Sequence, residues 1–194
     1  MLQPDFFNPA SELPLGMAYR PALISPAEER RLLEYISALP FREAQYKEWN
    51  ARRRIVSYGG RYDFNSNQLQ EADPLPSFLH PLRDCVAAFA DIPATKFSHA
   101  LINEYAPGTP LGWHRDAPVY GTVAGVSLAG MGRMRLRPYP PRAGTSARAA
   151  LVLDLAPRSA YVLEGPARWE WQHAISPTRA LRYSITFRTL VNHG

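Results

Sequence analysis

Cysteine is almost absent. Cys85 is the only one in 194 residues, so no intrachain disulfide can form and no cysteine-rich zinc site can be built. Nor is there a run of the ~20 uninterrupted apolar residues that a membrane span needs. The opening stretch, MLQPDFFNPASELPLGMAYR, lacks the basic start and apolar core of an export signal, with prolines breaking every candidate segment. These absences lead us to expect no membrane association and a reducing, cytoplasmic compartment. Internal repeats and low-complexity blocks are also missing, and the 19 prolines are scattered as turn punctuation rather than gathered into a linker. A chain of this length buries one good core, so a single domain over 1–194 and a monomer are expected.

What is present is an ordinary globular composition, 46% hydrophobic and 20% charged, with a basic balance: 22 Lys and Arg against 17 Asp and Glu, net +5, pI near 9.6. That balance leans toward polyanionic partners. Ser25-Pro26-Ala27-Glu28 reads as a capping box with proline at the first helical position, and Leu32, Leu33, Ile36 and Leu39 then share one face up to Pro40. Leu79, Leu82, Val86 and Phe89 give a second helix from about Ser77 to Ala90. After residue 94 the pattern changes to short alternating stretches broken by Pro-Gly, Gly-Trp, Pro-Pro and Gly-Pro. The clearest strand runs from Leu181 to Leu190, with Tyr183, Ile185 and Phe187 on one face and Arg182, Ser184, Thr186 and Arg188 on the other. Helices followed by antiparallel strands predict an α+β chain in which helices buttress a sandwich or small barrel.

His114-Arg115-Asp116 sets an imidazole and a carboxylate at i and i+2, on one side of an extended segment. A lone His-x-Asp is common by chance. His173, in the strand-like Trp171-Gln172-His173-Ala174-Ile175, is the best third ligand. Two histidines and one carboxylate form a facial triad that leaves adjacent positions open for an oxidant and a chelating cosubstrate; a hydrolytic zinc site uses the same ligands. His80 and His99 lack a carboxylate at ligand spacing and His193 sits at the terminus, so all three are read as structural.

Arg182 and Arg188 would point to one strand face roughly 20 Å apart at ~3.3 Å per residue, where their long side chains can converge. The guanidinium fork suits the two carboxylates of a dicarboxylic ligand. Asn103 and Tyr105, another i, i+2 pair, offer an amide and a hydroxyl to the same ligand. The alternative is an amphipathic strand whose arginines face solvent.

Over roughly residues 50 to 190 these blocks, in this order, resemble the AlkB family of iron(II)- and 2-oxoglutarate-dependent oxygenases. Asn103-Glu104-Tyr105-Ala106-Pro107-Gly108 and His114-Arg115-Asp116 are similar to its Asn-x-Tyr and His-x-Asp motifs. Pro157-Arg158-Ser159-Ala160-Tyr161-Val162-Leu163, His173 and Arg182-Tyr183-Ser184-Ile185-Thr186-Phe187-Arg188 are similar to the rest. The resemblance implies a double-stranded β-helix, or jelly roll, at about 96–192, with N-terminal helices and a lid at about 20–95. It implies Fe(II), 2-oxoglutarate and O2 as metal and cosubstrates. Arg182 with Tyr105 would hold the distal carboxylate of 2-oxoglutarate, and Arg188 with Asn103 would steady its chelating end. Ser184 stands where the family often has Asn, a change that leaves cosubstrate binding intact. Family chemistry splits 2-oxoglutarate to succinate and carbon dioxide and hydroxylates an N-methyl carbon, which leaves as formaldehyde.

Upstream, Arg52-Arg53-Arg54 leads into Tyr58-Gly59-Gly60-Arg61-Tyr62-Asp63-Phe64-Asn65, a glycine turn between aromatics and guanidiniums. Positive charge can track phosphates, and Tyr62 or Phe64 can stack on an extruded or single-stranded base. The family's nucleotide lids look similar here, which makes Tyr62 and Phe64 the expected base contacts, and Arg54 and Tyr58 join them as expected substrate contacts; the alternative is a surface hairpin. Arg133, Arg135 and Arg137 alternate along a strand and are read as further phosphate contacts, with Arg135 among the expected substrate-binding residues; the alternative is the strand's solvated face. Pro118 stands where repair enzymes often carry an acid, which weighs toward methylated RNA or tRNA over DNA. The expected activity is oxidative demethylation of alkylated bases in DNA or RNA. The alternatives are the same chemistry on a protein side chain or small molecule, and a nucleic-acid binding module without catalysis.

Overall fold

The computed structural model describes residues 13–46, 49–63, 65–141 and 150–191. Along the chain lie β1 (Met17–Arg20), α1 (Pro26–Ser37), β2 (Arg42–Tyr46), β3 (Trp49–Tyr58), β4 (Arg61–Asp63), β5 (Gln68–Gln70) and α2 (His80–Ala90). Then come β6 (His99–Tyr105), β7 (Leu111–His114), β8 (Tyr120–Leu128), β9 (Gly132–Pro138), β10 (Leu151–Leu155), β11 (Ala160–Leu163), α3 (Gly165–Trp169), β12 (Trp171–Ile175) and β13 (Arg182–Leu190).

The capping box forms as expected. The Glu28 amide donates to Ser25 Oγ at 3.2 Å, the Ser25 amide donates to the Glu28 carboxylate at 2.7 Å, and α1 then buries Leu32 and Ile36. A 3-10 turn at Ser77–Leu79 runs into α2, which buries Leu82, Val86 and Ala87 and stops where Asp91 turns left-handed, at φ 55°. Both helices cover one face of a major sheet in the order β1-β11-β8-β13-β6-β3-β2. Leu32, Ile36, Leu79 and Val86 pack there with Ile102, Val126, Ile185 and Phe187.

A second sheet, ordered β10-β9-β12-β7, faces the other side of the first. Met134, Leu136, Leu153, Leu155 and Leu163 fill the space between them. All strand pairs are antiparallel among the described residues. This is the expected jelly roll buttressed by helices. The difference lies upstream of residue 94, where β1, β2 and β3 also join the major sheet. Three consecutive arginines at 52–54 hide the alternation of β3, which lies between β2 and β6 and carries charge on both of its faces. No helix among the described residues is long and apolar enough to cross a membrane.

Candidate metal centre and cosubstrate pocket

Strand pairing brings the triad together. In the antiparallel register of β12 with β7, His173 lies directly opposite His114, so two imidazoles distant in sequence share one face with their ring centroids 4.2 Å apart. Asp116 follows two residues after His114, just past the end of β7, and its Oδ2 lies 3.7 Å from His173 Nε2. One donor atom from each of the three falls within 4.8 Å of the others. His114 Nδ1 sits 2.9 Å from the Gly112 carbonyl. A carbonyl only accepts, so Nδ1 carries the proton and Nε2 keeps its lone pair for a metal.

The protonation states suit ligation. Burial, followed by the neighbouring His114, pulls the His173 pKa down to about 3, and burial likewise lowers that of His114. Burial pushes Asp116 the other way, but Arg188 and the two imidazoles outweigh it and hold the carboxyl well below the usual carboxylate range. Two neutral imidazoles and one carboxylate, converging with no cysteine, fit a divalent iron site.

Asp116 is gripped from two sides. Arg188 donates to its Oδ1 from Nε at 3.0 Å and holds Nη2 2.9 Å from the same oxygen as an ion pair. Arg168, on α3 and only 3% exposed, holds the backbone that carries it. Arg168 Nη2 donates to the carbonyls of Asp116, Ala117 and Tyr120 at 3.3, 2.8 and 2.7 Å, and Nε donates to Gly121 at 3.0 Å. Residues 115–119 are irregular backbone leading into β8, and the guanidinium supplies donors to carbonyls in and just after that stretch. Nothing in the local pattern around Gly165-Pro166 signals this role.

Beside the triad lies a cavity of about 990 Å³, walled on one side by the polar face of β13: Arg182, Ser184, Thr186 and Arg188. Register again explains the set. Arg182 pairs with Tyr105 and Ser184 with Asn103 on β6, while Ser184 also faces Ser127 on β8. The Arg182 guanidinium therefore sits over the Tyr105 ring, 5.1 Å from its centroid, with Nε donating to Ser127 Oγ at 3.0 Å. Arg182 is 2% exposed, and its Nη1 has no hydrogen-bond partner among the described residues. Asn103 donates from Nδ2 to Ser184 Oγ at 3.3 Å, and its Oδ1 is also buried without a partner. A buried guanidinium with unused donors is costly unless an anion completes it. The dicarboxylate expected here supplies one.

Glycines make room for this wall. A Cβ on Gly132 would lie 2.5 Å from Arg182 Nε, and one on Gly125 would lie 2.4 Å from the ring of Tyr161, which also lines the cavity. Ser127, Tyr161 and Arg168 were not read from sequence; only strand pairing reveals them. Arg188, expected at the chelating end of the cosubstrate, lines the cavity and also donates to Asp116.

At the cavity mouth the lid is partly as expected. Tyr62 and Arg61 of β4 line the opening. Arg54 and Tyr58 do not. Arg53, Ile55 and Ser57 face the cavity, so alternation turns Arg54 and Tyr58 to the opposite side of β3. There Arg54 donates to Glu104 at 2.7 Å and Tyr58 packs on the core under the helices. Arg53, not Arg54, is the arginine of that run at the mouth, with its Nε buried and without a hydrogen-bond partner among the described residues. Arg135 lies on the outer face of the second sheet, its guanidinium carbon 5.0 Å from the centroid of Trp113. Phe64 and His193 fall outside the described residues. His80 and His99 are structural as expected, bonding to the Leu75 carbonyl and to Ser98 Oγ.

Known proteins agree with this geometry. The family model for the 2OG-Fe(II) oxygenase superfamily matches residues 16–188. The chain is 26% identical over 212 residues to the "Alkylated DNA repair protein ALKBH8 homolog" of Arabidopsis thaliana, a match covering 92% of this chain and 59% of that protein. It is 30% identical over 111 residues to the "Probable RNA/DNA demethylase ALKBH6" of Danio rerio, covering 56% of this chain and 44% of that one. Among solved structures, "The structure of OsALKBH1" superposes with a TM-score of 0.72 at 16% identity, covering 91% of this chain and 99% of that one. The chain thus spans under two thirds of the length of either sequence relative. The matched family implies Fe(II), 2-oxoglutarate and dioxygen, and the cluster of His114, Asp116 and His173 fits the metal. This chain belongs to the 2OG-Fe(II) oxygenase superfamily, as a dioxygenase of the AlkB family.

Proposed function

We propose that the enzyme oxidatively demethylates alkylated bases in RNA or DNA, with His114, Asp116 and His173 as the iron ligands. The observation that carries this reading is the placement of Tyr62, with Arg61 and Arg53, on the wall of the same cavity as the triad. A flat ring for stacking and guanidiniums for phosphate then stand beside the reacting centre. The names of the Arabidopsis and zebrafish relatives, a DNA repair protein and a probable RNA/DNA demethylase, support the substrate class.

Bound iron, with 2-oxoglutarate and dioxygen, supplies the oxidising power for hydroxylating a methyl carbon. The chain's own part is positioning. Arg182, Tyr105 and Ser127 take the distal carboxylate, with Asn103 and Ser184 alongside it. Arg188 aims the Asp116 carboxylate, and the close-packed β13 wall excludes bulk water. Glu43, Asp63, Glu71 and Asp73 also line the opening. They suit a base whose alkylated ring nitrogen carries positive charge. They equally suit a methylated cationic side chain, the one observation that favours a protein substrate.

The test is succinate and formaldehyde release measured with methylated RNA, methylated DNA and methylated lysine or arginine peptides, each beside its unmethylated form. Stimulation by a methylated nucleic acid is expected. Stimulation by peptides alone would replace this reading with the second.

A further inference from the structure

The outer face of the second sheet, directly behind the metal ligands, carries a cluster that the pocket does not use. His114 and His173 point inward, so alternation turns their neighbours Trp113 and Gln172 outward. On β9 the same alternation buries Met134 and Leu136 and turns out Arg133, Arg135 and Arg137. In the register of β12 with β9, Gln172 lies opposite Arg137 and the small Ala174 opposite Arg135. Both arginines therefore reach across β12 to the same indole on β7. Their guanidinium carbons stand 4.3 Å (Arg137) and 5.0 Å (Arg135) from the Trp113 ring centroid. Gln172 Oε1 fixes Arg137 further, accepting from Nε at 3.0 Å and Nη2 at 2.8 Å.

Charge on the four described strands of this face is mostly positive. Asp154, the one acid on the four strands, is bonded to Arg133 at 2.8 and 3.2 Å. The chain has two lysines, Lys47 and Lys96, so its positive charge is overwhelmingly arginine, the side chain whose fork matches a phosphate. Two like charges gathered on one ring gain from a shared anion, and stacking has already removed much of their rotamer freedom. The face is also continuous with the pocket. β7 is the edge strand of its sheet, and just beyond it Arg115, which lines the cavity, stacks on Tyr139 at 3.9 Å and donates to the Trp169 carbonyl at 2.9 Å. Ordered guanidiniums thus lead from the cavity mouth around β7 to Trp113.

We propose that Trp113, Arg135 and Arg137 form a phosphodiester-binding track that holds the strand flanking a base seated in the pocket. The proposal rests on the nucleic-acid reading above and assigns to the outer face affinity for polymer length and charge, without base recognition.

The experiment compares the wild type with the Arg135→Gln/Arg137→Gln double variant. Fluorescence anisotropy measures binding of a methylated single strand of about 15 nucleotides across a salt series, and succinate release measures turnover of a methylated trinucleotide too short to leave the pocket. For the long strand the variant should bind about tenfold more weakly near 0.1 M salt. Its log-log salt slope should be shallower by about 1.4, two contacts at ~0.7 each. Trinucleotide turnover should be unchanged, which also shows that the variant is folded and loaded. Equal affinity and slope for the long strand, with the wild type active on nucleic acid, overturns the track alone. A wild type that binds no oligonucleotide overturns both readings. Salt-dependent binding that the variant loses, in an enzyme active only on peptides, leaves phosphodiester binding at this face but overturns its role beside a seated base together with the proposed activity. A defect equal for trinucleotide and long strand overturns the track by showing damage to the pocket itself.

Discussion

Arg188 engages a single oxygen of Asp116, donating a hydrogen bond from Nε at 3.0 Å and bringing Nη2 within 2.9 Å, while the other oxygen is turned toward His173 at 3.7 Å. The carboxylate is thereby ionised, despite its burial, and pointed as a one-oxygen ligand. Partners of this kind typically change metal affinity 10–100-fold when removed. Arg188→Met should therefore weaken iron binding by about that factor and recover part of its succinate formation at high iron. Asp116→Ala or His114→Ala should remain inactive at any iron concentration. An iron titration in which Arg188→Met matches the wild type would remove the positioning role.

The carboxylate pocket makes a sharper prediction at a glycine. A methyl group at position 132 would sit 2.5 Å from Arg182 Nε and push the guanidinium off Ser127. Gly132→Ala should raise the KM for 2-oxoglutarate on the order of tenfold, the equivalent of one charge-assisted hydrogen bond. Arg182→Met should raise it on the order of a hundredfold or more. Iron affinity, read separately, should hold in both. A KM equal to that of the wild type in Gly132→Ala would show that the guanidinium has slack the packing does not suggest.

The centre of the site was legible in the sequence because its residues are rare and its strands alternate cleanly. His114, Asp116 and His173 needed only a guess that two strands meet, and the Arg182–Arg188 face of β13 needed only period two. The lid was not legible at residue level. Arg52, Arg53 and Arg54 are chemically alike, and shifting a strand's phase by one residue exchanges its faces. The pairing of Ile55 with Asn103 settles that phase, making Arg53 the cavity residue. For Arg135 the strand was legible but its face was not: it lies on the outer side of the second sheet, away from the cavity. Arg168 and Ser127 act on partners 47–55 residues away, through contacts that exist only once the sheets are stacked.

Arg168 carries its own prediction. One buried guanidinium satisfies four carbonyls between Asp116 and Gly121. Truncation to Met leaves them for water to find, at a cost on the order of 3 kcal/mol. Lysine restores charge but not the planar fork, and should rescue less than half of the loss. Urea unfolding of the metal-free protein reads the stability. Iron affinity measured on folded protein reads whether Asp116 has moved. Full stability in Arg168→Met would mean that the loop holds its shape unaided.

His173 makes metal-free stability depend on pH in a direction that can be worked out. Burial, then His114, lowers its pKa from 6.5 to about 3 in the folded protein. Between those values the unfolded chain binds a proton that the folded chain refuses. This contribution is fully present above pH 6.5 and is lost as pH falls toward 3. From pH 7.5 to 5.5 the metal-free wild type should lose about 1–2 kcal/mol through this residue, with His114 adding in the same direction. His173→Gln cannot take up that proton, so its urea-unfolding profile should be flatter by the same amount, with contributions from groups common to both proteins cancelling in the comparison. Bound iron should steepen the wild-type profile further, because protons compete with the metal for the same nitrogens. Parallel profiles for the two metal-free proteins would mean that His173 titrates in the folded state much as it does in water, and that the neutral imidazole ready for metal is not built into the fold.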